Sequence, residues 1–149
     1  MPDDWGIPCV LLMLGLGVGY ATLVSLVSRR RLARYWGRSC TGRLWRRRYP
    51  DATKAEIRQF LQLFIDAFAF KPARMLKFGP DDRAMDVYRA QNPPIEISDS
   101  MELETLAIDL EKVYGFDVWD VWTPDITLGH LFEIARESQG HGAGAVGAR

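Results

Sequence analysis

Cysteine and histidine are scarce in this sequence, two of each, and none stands at metal-ligand spacing. Cys9 falls in an apolar run and Cys40 among arginines, so they build neither a disulfide framework nor a zinc cluster; reduced, unpaired thiols are expected. His130 and His141 stand alone. There is no phosphate-binding glycine loop, no dinucleotide fingerprint and no Ser–His–acid set, so no enzyme and no metal is expected. No segment alternates strictly as a half-buried strand does, which leaves helices. Charge is missing in two further places. Gly6 to Ser28 contains no charged residue, and residues 29–48 contain no acid.

The first of these gaps predicts a membrane span. As a helix, 23 residues would reach about 35 Å, enough for a hydrocarbon core of roughly 30 Å. A single segment in lipid must be helical, because only helices and closed barrels satisfy their own backbone. Trp5 stands at one end, and Tyr35 and Trp36 lie just past the other, as interfacial aromatics do. A cleaved signal peptide would carry positive charge before the apolar run. Here Asp3 and Asp4 precede it and the arginines follow, so an uncleaved anchor is expected. Gly15 and Gly19 form a G-x-x-x-G, read as the ordinary glycine content of a membrane helix.

The second gap sets orientation. Nine arginines and no acid occupy residues 29–48. Positive charge close to a span resists translocation, so the N-terminus is expected outside and the rest in the cytoplasm, as in a bacterial inner membrane. Arg29, Arg30, Arg31, Arg34, Arg46, Arg47 and Arg48, interleaved with Tyr35, Trp36, Leu44 and Trp45, are expected to lie on an anionic lipid surface, at about 1 kcal/mol per basic residue. For a segment tethered at the bilayer, lipid is the expected partner and nucleic acid is not.

Residues 51–137 reverse the sign, with seventeen acids against nine bases. Thr53 and Glu56 make a capping box, with Asp51 the other candidate cap, and Ile57, Phe60, Leu61, Phe64, Ile65 and Phe68 give an apolar face for a helix over about 53–69. Gly79-Pro80-Asp81-Asp82 is a turn opening a short helix with Met85, Val87 and Tyr88, and Asn92-Pro93-Pro94 ends it. Asp81-Asp82-Arg83 is expected to begin that helix and contact nothing else. Asp99 can cap the next helix, with Glu102 three positions on; Leu103, Leu106, Ala107, Leu110, Val113 and Tyr114 form its buried stripe and Gly115 ends it. Val118, Val121 and Trp122 suggest one further turn, stopped by Pro124, and Trp119 and Trp122 are expected in the core. Thr127 caps a final helix with Leu128, Leu131, Phe132 and Ala135 inward. The expected organisation is a stub (1–5), a span (6–28), an arginine-rich juxtamembrane segment (29–50), an all-α domain (51–137) and a disordered tail (138–149).

This order of parts resembles the acyl carrier protein family over roughly residues 53–137. A helix and a long loop lead to Asp99-Ser100-Met101, which is similar to the family's Asp-Ser-Leu motif at the start of an acidic second helix. Leu110-Glu111-Lys112-Val113-Tyr114-Gly115 resembles the stretch that ends that helix, and Asp125-Ile126-Thr127 the lead into the last one. The sequence departs from the family in having Ile97 and Ser98 before the motif where a glycine is usual, and Glu104 where an apolar residue is usual. The resemblance implies a small acyl-carrier-like bundle behind a single transmembrane helix. It also implies a 4′-phosphopantetheine arm on Ser100, with Asp99 helping to position the phosphopantetheinyl transferase and its cofactor.

Partner acyl-transfer or synthase enzymes would dock on Met101, Glu102, Glu104, Asp109 and Glu111. Residues 99–125 carry eight acids against Lys112 alone, a charge that would steer basic partners toward the serine. The alternative is a carrier-like scaffold without the arm, acting as a tethered interaction module.

Overall fold

The computed structural model describes residues 6–92 and 100–144. The fold is all-α: among the described residues there is no strand, only one isolated bridge between Arg83 and Thr127. The first helix, α1, runs unbroken through Gly6–Trp36. Its Pro8–Trp36 portion is long and apolar enough to cross a membrane, with a mean hydropathy of 2.2 and none of its most apolar window buried against the rest of the chain.

The end of α1 enters the domain. Leu32 and Tyr35 are buried in the core, and Trp36 packs on its edge. A short helix α2, Gly42–Arg48, then places Trp45 fully buried at the centre of the bundle. The domain therefore starts near Leu32 rather than at residue 51. The aromatic residues between the arginines are core, not a surface film: the side chains of Leu32, Tyr35, Trp45 and Tyr49 are buried, while Arg34, Arg43, Arg46, Arg47 and Arg48 between them are exposed.

Helix α3, Lys54–Ala67, opens with the expected capping box. Thr53 accepts from the Glu56 N–H at 3.2 Å, and the Glu56 carboxylate accepts from the Thr53 N–H at 2.6 Å. Its apolar stripe is buried as the spacing requires. The helix closes through Ala69, a non-glycine residue at φ 52°, with the Phe70 N–H donating to the Ile65 carbonyl at 2.8 Å. A 3-10 turn, Pro72–Lys77, leads to Phe78, which is fully buried. Phe78 meets Tyr35, Trp36, Phe64 and Phe70 at centroid distances of 5.1–5.6 Å, and its carbonyl accepts from Trp45 Nε1 at 2.9 Å and Thr41 Oγ1 at 2.7 Å. These bonds tie one aromatic cluster to a second, in which Trp45 packs on Tyr49, Phe60 and Phe132.

Helix α4, Ala84–Gln91, lies antiparallel to the end of α1. Arg34 donates to the Asp86 carbonyl, Arg31 to the Arg89 carbonyl and Ser28 to the Gln91 carbonyl, stepping down one helix as they step up the other. Helix α5, Met101–Tyr114, packs along α3 and ends at Gly115 in the left-handed region, φ 77°. A single turn, α6 (Val118–Val121), follows, capped by Asp117. Helix α7, Leu128–Gly144, starts beside α4: the Leu128 N–H donates to the Asp82 carbonyl and the Gly129 N–H to the Pro80 carbonyl, both at 2.8 Å. A Cβ on Gly129 would stand 2.8 Å from both the Pro80 carbonyl and the Tyr49 hydroxyl, so only glycine fits that approach.

Three expectations are corrected here. The Asp81-Asp82-Arg83 turn does contact other parts of the chain: Asp82 takes Arg38 at 2.7 Å and Arg83 takes Asp125 at 2.7 Å, so the turn joins the arginine block to the domain. Trp119 is exposed, and Trp122 is half-buried against the core. The last helix continues through residues 138–144 instead of giving way to a tail at 138.

Candidate functional site

Ser100 stands at the N-cap of α5 with φ −75° and ψ 31°. That backbone is not the extended one a capping side chain uses, and Ser100 makes no cap bond. Its hydroxyl instead donates to Glu104 Oε1 at 2.9 Å, one turn on, while its carbonyl accepts the Glu104 N–H at 2.9 Å. Asp99, the expected cap, lies outside the described residues. The carrier-like motif is thus described from the serine onward.

The face of α5 that begins at Ser100 is unusual for a small domain. Leu103, Leu106, Ala107, Leu110 and Tyr114 are buried, but Met101 is 60% and Ile108 62% exposed. Seven positions apart, they fall on one stripe two turns long. Glu104 and Glu111 are exposed beside them, and Glu102 and Asp109 are half-buried at the edges. Past Gly115, the exposed Trp119 stands 5.6 Å from Trp122. On α5, Met101 and Ile108 are thus apolar contact points flanked by carboxylates, which suits a partner with basic and apolar groups together. Periodicity located the buried stripe; Val113 was counted in it and is exposed. The exposed Met101, Ile108 and Trp119 have no signal in periodicity, because exposure depends on what packs opposite.

The position of Ser100 in the bundle follows from its neighbours. Burial raises the Tyr114 hydroxyl above its ordinary value, and the nearby Glu56 charge adds to the rise. The end of α5 therefore lies by the start of α3. Because α5 packs lengthwise on α3, its start lies toward the other end of α3. There Gln91 donates to the Phe68 carbonyl at 3.2 Å, and its own carbonyl accepts from Ser28.

A phosphodiester on Ser100 would meet the first-turn N–H groups of α5, which have no acceptor within the helix, and the positive end of its dipole. The residues present fit such a group in these respects. Glu104 opposes it, since its carboxylate already holds the hydroxyl.

The arginines fall into two groups. Arg30, Arg31 and Arg34 on α1 line a cavity of about 400 Å³ with Asp86, Arg89 and Ala90 of α4. Arg43, Arg46 and Arg47 on α2 line a different one, of about 670 Å³, with Lys54 and Arg58 of α3. Arg48 stands 3.8 Å from Asp81, with both side chains exposed. Arg29 is exposed on α1, without a described partner. No group of three or more His, Cys, Asp or Glu side chains converges among the described residues.

Searches of protein-family models, of curated proteins and of solved structures found no match to this chain.

Proposed function

We propose that this chain is a membrane-anchored acyl-carrier-like protein, holding a thioester cargo on a 4′-phosphopantetheine arm at Ser100 for partner enzymes. The observation that carries this reading is the face of α5: a serine at the N-cap, followed by exposed Met101 and Ile108 among carboxylates. The arm would supply a thiol on a long tether. The chain's own residues hold its attachment atom at a helix start that favours an anion, and present a docking stripe beside it. With the N-terminus outside and the domain in the cytoplasm, Arg29, Arg30, Arg31 and Arg34 directly after the span stay with anionic lipid, whereas Arg46 and Arg47, expected there too, stand with Lys54 and Arg58 of α3. Because α1 runs into the core without a break, the domain is held at the bilayer surface. Cargo would be presented to acyltransferase or synthase enzymes in or on the membrane, and the protein itself would catalyse nothing.

The Ser100–Glu104 bond favours a second reading, a tethered interaction module with no arm. The test is intact mass of the full chain after co-expression with broad-specificity phosphopantetheinyl transferases. Addition of one phosphopantetheine, mapped to Ser100 and lost in Ser100→Ala, is expected. An unmodified chain with each of several transferases, and undiminished partner binding by Ser100→Ala, would replace the carrier by the module.

A further inference from the structure

The cleft between α1 and α4 differs from the rest of the arginine block in position and in composition. Arg30, Arg31 and Arg34 come from the turns just after Ser28, and Arg89 comes from the last turn of α4, fifty-five positions beyond Arg34 in sequence. Only folding brings Arg89 to them. The lining carries four arginines against one acidic residue, Asp86, and none of the four forms an ion pair among the described residues. Two are held in place: Arg31 donates to the Arg89 carbonyl at 3.2 Å, and Arg34 donates to the Tyr35 hydroxyl at 2.7 Å. Their remaining N–H donors are available to an anion, and a guanidinium fork matches phosphate oxygens.

Depth identifies the anion's source. At about 1.5 Å per residue, Arg30 to Arg34 lie roughly 3–9 Å along α1 from Ser28, the height of lipid headgroups if the apolar portion spans a bilayer. The α2 group has no such placement. Trp36, where α1 ends, is already about 12 Å past Ser28, and Arg43, Arg46 and Arg47 follow beyond it, toward the N-terminal turns of α3.

We infer that the α1–α4 cleft is a binding site for the phosphate of one anionic phospholipid headgroup, formed by Arg30, Arg31, Arg34 and Arg89. The inference rests on the membrane-anchor reading and not on the arm at Ser100. It makes the bilayer contact selective for lipid class, whereas a diffuse basic film would count charges only.

The experiment is native mass spectrometry of the full chain in mild nonionic detergent, titrated with dioleoyl phosphatidylglycerol or dioleoyl phosphatidylcholine. One phosphatidylglycerol is expected to bind in clear preference to phosphatidylcholine. Loss of one guanidinium costs about 1 kcal/mol near an anionic lipid, so Arg89→Gln should weaken that preference about fivefold. Arg30→Gln should do the same, and Asp86→Asn should strengthen it. Arg89→Gln leaves the Arg89 carbonyl in place for Arg31, and circular dichroism checks each variant's fold.

The double variant Arg46→Gln/Arg47→Gln should leave the preference within about twofold, since its charges lie away from the interface. An undiminished preference in both Arg89→Gln and Arg30→Gln would overturn the site, as would an equal loss in the α2 double variant. Inorganic phosphate that binds without lipid and displaces phosphatidylglycerol at equal concentration would make the cleft a free-anion site and overturn the lipid assignment. Alkaline carbonate extraction of native membranes separates the two levels. Release of the protein would overturn the anchor itself, while a retained protein without lipid preference would overturn only the cleft.

Discussion

Helix α1 contains two regions made from the same kinds of residue in opposite surroundings. Leu11, Leu14 and Leu16 stand 61–63% exposed, while Leu32, on the same continuous helix, is 8% exposed. The change falls near Ser28, whose hydroxyl donates to the Gln91 carbonyl at 2.7 Å and ties the helix to the domain. Before it, the helix is apolar on every side, and a helix apolar all round needs apolar surroundings that the described residues do not provide. After it, one side is charged and the other is packed. Hydrophobicity alone does not separate a residue that faces lipid from one that faces a core; the distribution of charge around the helix does.

The sharpest way to break this comparison is to truncate one residue in each region. Trp45→Ala removes the ring that packs on Tyr49, Phe60 and Phe132, and should destabilise the domain by about 3–5 kcal/mol, read by chemical denaturation in detergent. Leu14→Ala should leave the same unfolding transition within about 0.5 kcal/mol, because no core atom touches it. Equal losses would mean that the span and the domain unfold as one unit.

Gly129→Ala sharpens the contrast within the domain. The new methyl would meet the Pro80 carbonyl and the Tyr49 hydroxyl at 2.8 Å, forcing the starts of α4 and α7 apart. A loss of about 1–3 kcal/mol is expected, in detergent and in lipid alike. A loss confined to one of these media would show that the domain's packing depends on the anchor's surroundings.

The smallest effect belongs to the end of α3 away from the bilayer. Hydrogen bonds from the Thr53 N–H and hydroxyl hold the Glu56 carboxyl below its ordinary value of 4.5. A lowered folded-state value means that its stabilisation is complete above pH 4.5 and is lost as pH falls through the folded value. Glu56→Gln should cost about 1 kcal/mol or less at pH 7, and the gap from the unaltered protein should close on acidification. A gap that is constant with pH would mean that the Glu56 charge contributes nothing.

The local signals proved the most legible. Capping at Thr53, the left-handed stop at Gly115 and the Thr127 hydroxyl accepting from the His130 N–H at 3.2 Å all lie within one or two turns of chain, where the sequence carries the whole cause. The site was legible only in part. Ser100 at the start of α5 could be read, but its bond to Glu104 could not, and the expected Asp99 cap lies outside the described residues. Arg89 was missed entirely, since nothing near it in sequence marks it as a neighbour of Arg31.

By itself the sequence determined an all-α chain with an apolar first helix, a basic block and an acidic bundle, since periodicity, caps and runs without charge act over a few residues each. Tertiary structure alone decided that Trp45 and Phe78 join two aromatic clusters, that the arginines divide between two clefts, and that Met101 and Ile108 stay uncovered. Those outcomes depend on which surfaces meet across long stretches of chain, and burial is a property of the meeting and not of either residue.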